Sequence, residues 1–291
     1  MSERAVVIDC ENGPIVAVIH RPDQPALGVT PLILVVGGPQ TRVGSHRQFV
    51  LLARALCDRG IPVLRFDYQG MGDSPGEQSS FLEAVPSLKN VVNYFANEMG
   101  SDSVAFWGLC DAVSLIFLYL DMTQDSRVSH IIALNPWVRQ TKSEAQVMLR
   151  HYYLRRLVSP GFWKRVFKFD LNIGASVKDL VINLQKAFGK NAEGQSRGSS
   201  SEVRKIYTEE NYVEAMRTGL SGFRGKLSLV LSGNDLTADE FRMLLSQDNN
   251  WNEIVNERLV SKLEIDDANH TFSSERWRQQ VELFSINCLL G

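Results

Sequence analysis

Val104-Ala-Phe-Trp-Gly-Leu-Cys-Asp-Ala-Val-Ser114 carries four apolar residues into a turn at Gly108, and past Asp111 the chain continues as Ala112-Val-Ser-Leu-Ile-Phe-Leu-Tyr-Leu120. The first part reads as the end of a buried strand and the second as a buried helix. One reactive side chain, Cys110, stands at the junction. This is the layout of a nucleophile elbow, in which a sharp strand-to-helix turn pushes one side chain out over the top of a sheet. The usual spelling is G-x-S-x-G; here Gly108-Leu109-Cys110-Asp111-Ala112 has cysteine for serine and alanine for the second glycine. Strand–Gly–x–Cys–helix also occurs in ordinary cores, so the elbow needs support from elsewhere in the chain.

Upstream, Ala5–Ile8 and Pro14–Ile19 flank Glu11-Asn-Gly13, the pattern of a β-hairpin. Pro31–Val36 is apolar throughout, as a strand buried on both faces must be, and it ends in Gly37-Gly-Pro-Gln40. A helix is predicted over His46–Arg59, a strand over Ile61–Phe66, then a glycine-rich loop, Asp67–Gly76, and a helix over 80–98. Downstream of the elbow, His130–Leu134 reads as another buried strand. Alternation of this kind calls for a parallel sheet with helices on both faces. From about 140 to 220 no strand is apparent, and aromatic and basic residues crowd together, including Tyr152, Tyr153, Phe162, Trp163, Arg155, Arg156, Lys164 and Arg165. The plainer reading of those cations is a solvated helix face; the functional one is a helical lid that meets an anionic or polar substrate. Residues 190–201 are polar and low in complexity, and are expected to be mobile. The sheet resumes at Lys226–Ser232, and a last strand at Leu259–Ile265 leads into Asp266-Asp-Ala-Asn-His-Thr-Phe272 and a closing helix. The core is thus expected at 1–139 and 221–291, with the lid inserted at 140–220.

Composition narrows the function classes. The 291 residues are 44% hydrophobic and 22% charged, with a net charge of −2, which gives no footing for nucleic acid or an anionic membrane surface. Neither a secretory h-region nor an 18-residue apolar run is seen, so a cytoplasmic protein without a transmembrane segment is expected. Cys10, Cys57, Cys110 and Cys288 form no C-x-x-C pair and read as reduced thiols, three of them as packing residues. Gly70-Met-Gly72 with Gly76 superficially suggests a dinucleotide loop, but G-x-G-x-x-G would need glycine where Pro75 stands. No cofactor and no metal is expected.

Acyl transfer needs a base, a group to orient it and donors for the oxyanion. His270 follows the last strand and is the candidate base. His20, His46, His130 and His151 lie elsewhere. Asp235, a turn after the preceding strand, is the candidate orienter, with Asp239 as its rival. The backbone N–H of Asp111 and that of Gly38 are the candidate oxyanion donors, since Pro39 has no N–H to give. A helix N-terminus and a nearby imidazole favour a thiolate at Cys110, while the Asp111 carboxylate works against it.

The order nucleophile, acid, histidine and the Asp67-x-x-Gly70-x-Gly72-x-Ser74 loop resemble an α/β-hydrolase over nearly the whole chain. Gly37–Val50, Phe66–Ser74, Trp107–Asp111, Leu134–Arg139, His151–Tyr153 and Asn269–Phe272 more specifically resemble the exosortase A system-associated hydrolases, type 1. That resemblance implies a bacterial protein linked to exopolysaccharide genes, with a Cys-His-Asp triad. A small-molecule, lipid or saccharide acyl substrate is expected from the acyl-transfer chemistry. Two departures stand out. Gln69 replaces the family's usual arginine, and Ala112-Val113 replaces Gly-Ala, placing a Cβ at the tightest point of the turn. The expected function is ester or thioester hydrolysis. An acyltransferase that passes the acyl group to a sugar hydroxyl, and a binding module without catalysis, are the rival readings.

Overall fold

The computed structural model describes residues 1–38, 40–139 and 205–291. An antiparallel hairpin opens the chain, β1 (Ser2–Ile8) and β2 (Ile15–Arg21). There follow β3 (Leu32–Val35), a 3-10 turn at Ser45–Arg47 running into α1 (Gln48–Asp58), β4 (Val63–Phe66) and α2 (Val85–Met99). The elbow strand β5 (Val104–Leu109) leads to α3 (Asp111–Thr123) and β6 (Val128–Leu134). The C-terminal part supplies α4 (Tyr212–Gly222), β7 (Lys226–Ser232), α5 (Leu236–Gln247), α6 (Asn249–Arg258), β8 (Leu259–Ile265) and α7 (Glu275–Leu290).

Eight strands form one sheet in the order β1-β2-β4-β3-β5-β6-β7-β8. The hairpin joins antiparallel through β2 and β4, and every pairing from β4 to β8 is parallel. β3 to β6 lie inside the sheet with helices on both faces, which is why their buried stretches are mainly apolar without alternation, Arg65 of β4 and His130 of β6 being buried polar exceptions. On one face, Phe49 of α1 meets Trp107 edge to face at 5.6 Å, and the Trp107 indole N–H donates to Ser285 of α7 at 3.2 Å. On the other, α3 is buried nearly all round because α4 covers it. A Cβ at Gly219 would lie 2.2 Å from the Phe117 carbonyl oxygen, so only glycine allows the two helices this approach.

For residues 140–204, including 190–201, the lid expectation falls outside the described residues. The rest of the expected insertion packs with the core: Tyr212, Val213, Met216 and Leu220 are buried, and the Tyr207 hydroxyl donates to Asp121 of α3 at 2.9 Å. Among the described residues, no helix is long and apolar enough to cross a membrane.

Because β3 to β8 are parallel, the loops that follow them leave the same edge of the sheet, and the strand order reverses between β3 and β5. Open α/β sheets bind their ligands in the crevice at such a reversal. Gly38, Cys110, Asn135, Asp235 and His270 all sit on loops at this edge.

Candidate active site

Cys110 is held in a conformation that few side-chain-bearing residues adopt, φ 65° and ψ −128°. Its N–H donates to the Leu134 carbonyl at 2.9 Å, and its own carbonyl accepts from Val113 at 3.0 Å and Trp137 at 3.3 Å. The turn is over-determined from both sides, which is how such strain persists. Glycine makes room for it: a Cβ at Gly108 would lie 2.8 Å from Ile116 Cδ1, and one at Gly37 would lie 2.7 Å from the Ala112 nitrogen. The unusual Ala112 methyl is fully buried against these two glycines, so it fills the inside of the turn and does not narrow the site.

The β7 and β8 loops bring His270 and Asp235 together. His270 Nδ1 lies 2.9 Å from Asp235 Oδ2. Asp235 is also the N-cap of α5, accepting from Thr237 at 3.3 Å and Ala238 at 3.2 Å, and it is 8% exposed. A carboxylate oxygen at Nδ1 accepts the imidazole N–H there and leaves Nε2 as the ring's acceptor. Asp239 instead pairs with Arg242 at 2.9 Å, one turn along the helix. No hydrogen bond joins Cys110 Sγ to His270 among the described residues.

The residue after Cys110 brings a carboxylate to the Gly37–Gly38 loop, that of Asp111. It accepts the Gly38 N–H at 2.6 Å, so the donor expected to serve an oxyanion is engaged by a side chain. Burial raises the Asp111 carboxyl above its usual range, and the N–H groups of Gly38, Asp111 and Ala112 oppose that rise. Burial pushes the Cys110 thiol up to about 12, and the Asp111 charge adds to the effect. The Asp111 N–H and the Arg139 guanidinium act against it but do not prevail. The expectation of a resting thiolate is therefore overturned: at this elbow, desolvation and a neighbouring carboxylate outweigh the helix N-terminus.

No protein-family model matches the chain, and no curated protein matches it. Solved structures do. An esterase of Pyrococcus furiosus aligns with a TM-score of 0.59 at 14% identity, covering 99% of this chain and 93% of its own. An α/β serine hydrolase homologue of Coxiella burnetii aligns at 0.54 and 14% identity, covering 99% and 97%. An α/β serine hydrolase without lid from Xanthomonas campestris aligns at 0.52 and 14% identity, covering 99% and 93%. The chain has the α/β-hydrolase fold.

Within the α/β-hydrolase fold, several further residues, to which the sequence assigned no part in the chemistry, hold the edge together. Asn135, at φ 43° after β6, donates from Nδ2 to Ser232 Oγ at 2.5 Å and to the His270 carbonyl at 3.1 Å, and accepts the Ser232 N–H at 2.9 Å. It ties the ends of β6 and β7 to the histidine loop. Arg139 lies 4.4 Å over the Trp137 ring and pairs with the buried Glu240 at 2.9 Å. Asp67 is fully buried, accepts the Arg42 N–H at 2.6 Å and the Asp73 N–H at 3.1 Å, and ion-pairs with the Arg42 guanidinium. Gln69 links Gly13 at 2.9 Å to Ser87 at 2.9 Å, so the departure at this position serves loop packing.

The other described histidines do not reach the site. His20 accepts from Arg65 at 2.8 Å inside the sheet, His130 bonds Ser228 at 2.8 Å, and His46 lies in the turn before α1. His151 falls outside the described residues. Cys57 is buried, while Cys10 and Cys288 are half-buried, as Cys110 is. A cavity of about 220 Å³ opens beside the Gly37–Gly38 loop, lined by Gly38, Tyr68, Met71, Phe81, Asp111 and Leu115. Among the described residues no cluster of His, Cys, Asp or Glu could hold a metal ion.

Proposed function

We propose that the chain is a hydrolase that cleaves an ester or thioester through an acyl-enzyme on Cys110. The observation that carries this reading is the hydrogen bond between His270 and the buried Asp235, on the same sheet edge as a cysteine forced into an elbow conformation. A helix cap alone does not need a histidine, and a surface histidine does not need a buried carboxylate.

In this reading Cys110 Sγ attacks the acyl carbonyl carbon while its proton passes to His270 Nε2. Asp235 stabilises the imidazolium that forms. The carbonyl pair moves to oxygen and is held by the Gly38 and Asp111 N–H groups. Collapse of the tetrahedral intermediate expels the alcohol or thiol, which takes the proton back from His270. Water then repeats the sequence and releases the acid. Because the thiol rests neutral, proton transfer accompanies attack, and His270 acts as a general base rather than as the partner of a stored thiolate.

The cavity beside Gly38 is a natural place for the acyl group. Its 220 Å³ and its Met71, Phe81 and Leu115 lining suit a short apolar chain, since pockets for drug-sized ligands run from about 300 Å³ upward. A small-molecule, lipid or saccharide acyl ester or thioester is the proposed substrate class. A screen of short acyl esters and thioesters with the wild type beside Cys110→Ala tests the reading. Turnover of at least one of them that disappears in Cys110→Ala is expected, and turnover that survives the substitution would overturn it.

A further inference from the structure

The Gly38 N–H points at Asp111 Oδ2 from 2.6 Å, the distance of a strong charge-assisted hydrogen bond. This seat is built for a carboxylate. A Cβ at Gly37 would lie 2.2 Å from Asp111 Oδ1, so any other residue there would evict it, and Gly38 itself turns through φ 54° to aim its N–H inward. An acyl oxygen using the Gly38 N–H has to stand where Asp111 Oδ2 stands now. Two oxygens cannot share that place.

A second seat is nearby. Tyr68 is 6% exposed and its hydroxyl, fully buried, has no hydrogen-bond partner among the described residues. Its ring and the Asp111 side chain line the same cavity, and the Asp111 charge acts on the Tyr68 phenol. A buried hydroxyl without a partner calls for an explanation. A carboxyl group that leaves Gly38 on the cavity side would supply the missing partner.

We propose that Asp111 gates the oxyanion hole: in the resting protein its carboxylate occupies the Gly38 N–H, and an acyl carbonyl enters only when that carboxylate moves to the Tyr68 hydroxyl. Asp111 is then a positioning residue that keeps the hole closed until a substrate fills the neighbouring cavity. The proposal rests on the acyl-enzyme reading for its second half, the entry of a carbonyl, but the occupied seat is a property of the resting chain.

Two measurements on the full chain test both halves. Gly37–Gly38 is the only Gly–Gly pair in the sequence. Protein labelled with carbon-13, nitrogen-15 glycine therefore shows the Gly38 amide alone in an HNCO spectrum. Asp111→Ala should move that amide proton upfield, as loss of a short bond to a carboxylate requires. Asp111→Asn, which keeps the shape and loses the charge, should move it part of the way. An amide proton unmoved in both variants overturns the proposal.

The second measurement uses propyl trifluoromethyl ketone. Cys110 Sγ bonds its carbonyl carbon, the carbonyl pair becomes the oxyanion, and the thiol proton passes to His270. Addition should be faster in Asp111→Ala by roughly tenfold or more, the factor that one charge-assisted hydrogen bond corresponds to. Tyr68→Phe should slow addition in the wild type and have no effect in the Asp111→Ala background. Equal rates for wild type and Asp111→Ala retire the gate and leave the acyl-enzyme reading standing. Addition to neither protein ends that reading and the gate with it. An equal Tyr68→Phe effect in both backgrounds removes Tyr68 as the second seat and so contradicts the proposal as stated.

Discussion

Asp235 binds His270 Nδ1 at 2.9 Å with the same carboxylate that caps α5. The two duties can be separated by substitution. Asparagine caps a helix about as well as aspartate but cannot stabilise an imidazolium in the same way. Asp235→Asn should therefore lower kcat by ~10²-fold or more, within the range general acid–base catalysis commands, while the folding stability changes by less than about 1 kcal/mol. Asp239→Asn weakens a half-buried helix pair with Arg242 and should lower kcat far less than Asp235→Asn does. Equal losses in the two variants would move the orienting role away from Asp235.

Asn135 should prove more important than its place outside the proposed triad suggests. Its amide serves Ser232 twice and the His270 carbonyl once, all buried or half-buried. Asn135→Ala leaves those groups unmatched and should cost about 1–3 kcal/mol of stability. Kinetically it should depress kcat more than it raises KM, because the histidine loop is loosened while the cavity beside Gly38 is untouched. Denaturant melts and steady-state kinetics on one preparation check both; an unchanged kcat would confine Asn135 to the fold.

The pairing of Asp235 with His270 was legible because both follow strands whose apolar runs are unmistakable, and the parallel sheet brings their loops to one edge. The elbow was legible for the same reason. Asn135 was visible only as a strand ending, since nothing in a lone Asn-Pro says which loops its amide will join. The helix α6 escaped because only Trp251 and Val255 among its residues are buried, too few to set a period. α4 was assigned to the insertion because its apolar face shows no sign, in sequence, of which helix it covers. The Cys110 thiol was misjudged because the sign depends on burial and on where the Asp111 carboxylate points, neither of which spacing reveals.

Acid should weaken the fold through two histidines remote from the site. Burial, reinforced by Arg65, holds His20 at about 4, and burial, reinforced by Lys226, holds His130 at about 4. In the unfolded chain each titrates near 6.5 (about the model-peptide value). Between these values the unfolded state binds protons that the folded state refuses, so stability falls as pH drops from about 6.5 to about 4. The loss is on the order of 2–3 kcal/mol per histidine. Urea melts across that interval should show the decline, and His130→Gln should remove about half of it. A stability that stays level down to pH of about 4.5 would contradict the buried neutral state of both rings.

The cysteine itself should behave as a thiol. With Cys110 at about 12, the thiolate fraction at a pH of about 8 is ~10⁻⁴, and Cys57, at about 11, is little better. Iodoacetamide labelling of Cys110 should climb about tenfold per pH unit up to a pH of about 9.5, without a plateau. A plateau with an inflection below a pH of about 8 would reveal a stored thiolate–imidazolium pair and overturn the general-base account.

The most direct test of the whole account is the acyl-enzyme. A short p-nitrophenyl ester is mixed with the protein, quenched in acid within the first turnover, and the acylated peptide is identified by mass spectrometry. The account predicts one acyl group on Cys110, none in Cys110→Ala, and formation slowed by at least ~10² in His270→Ala. An acyl group on another residue, or an adduct that forms on Cys110 at the same rate without His270, would contradict it.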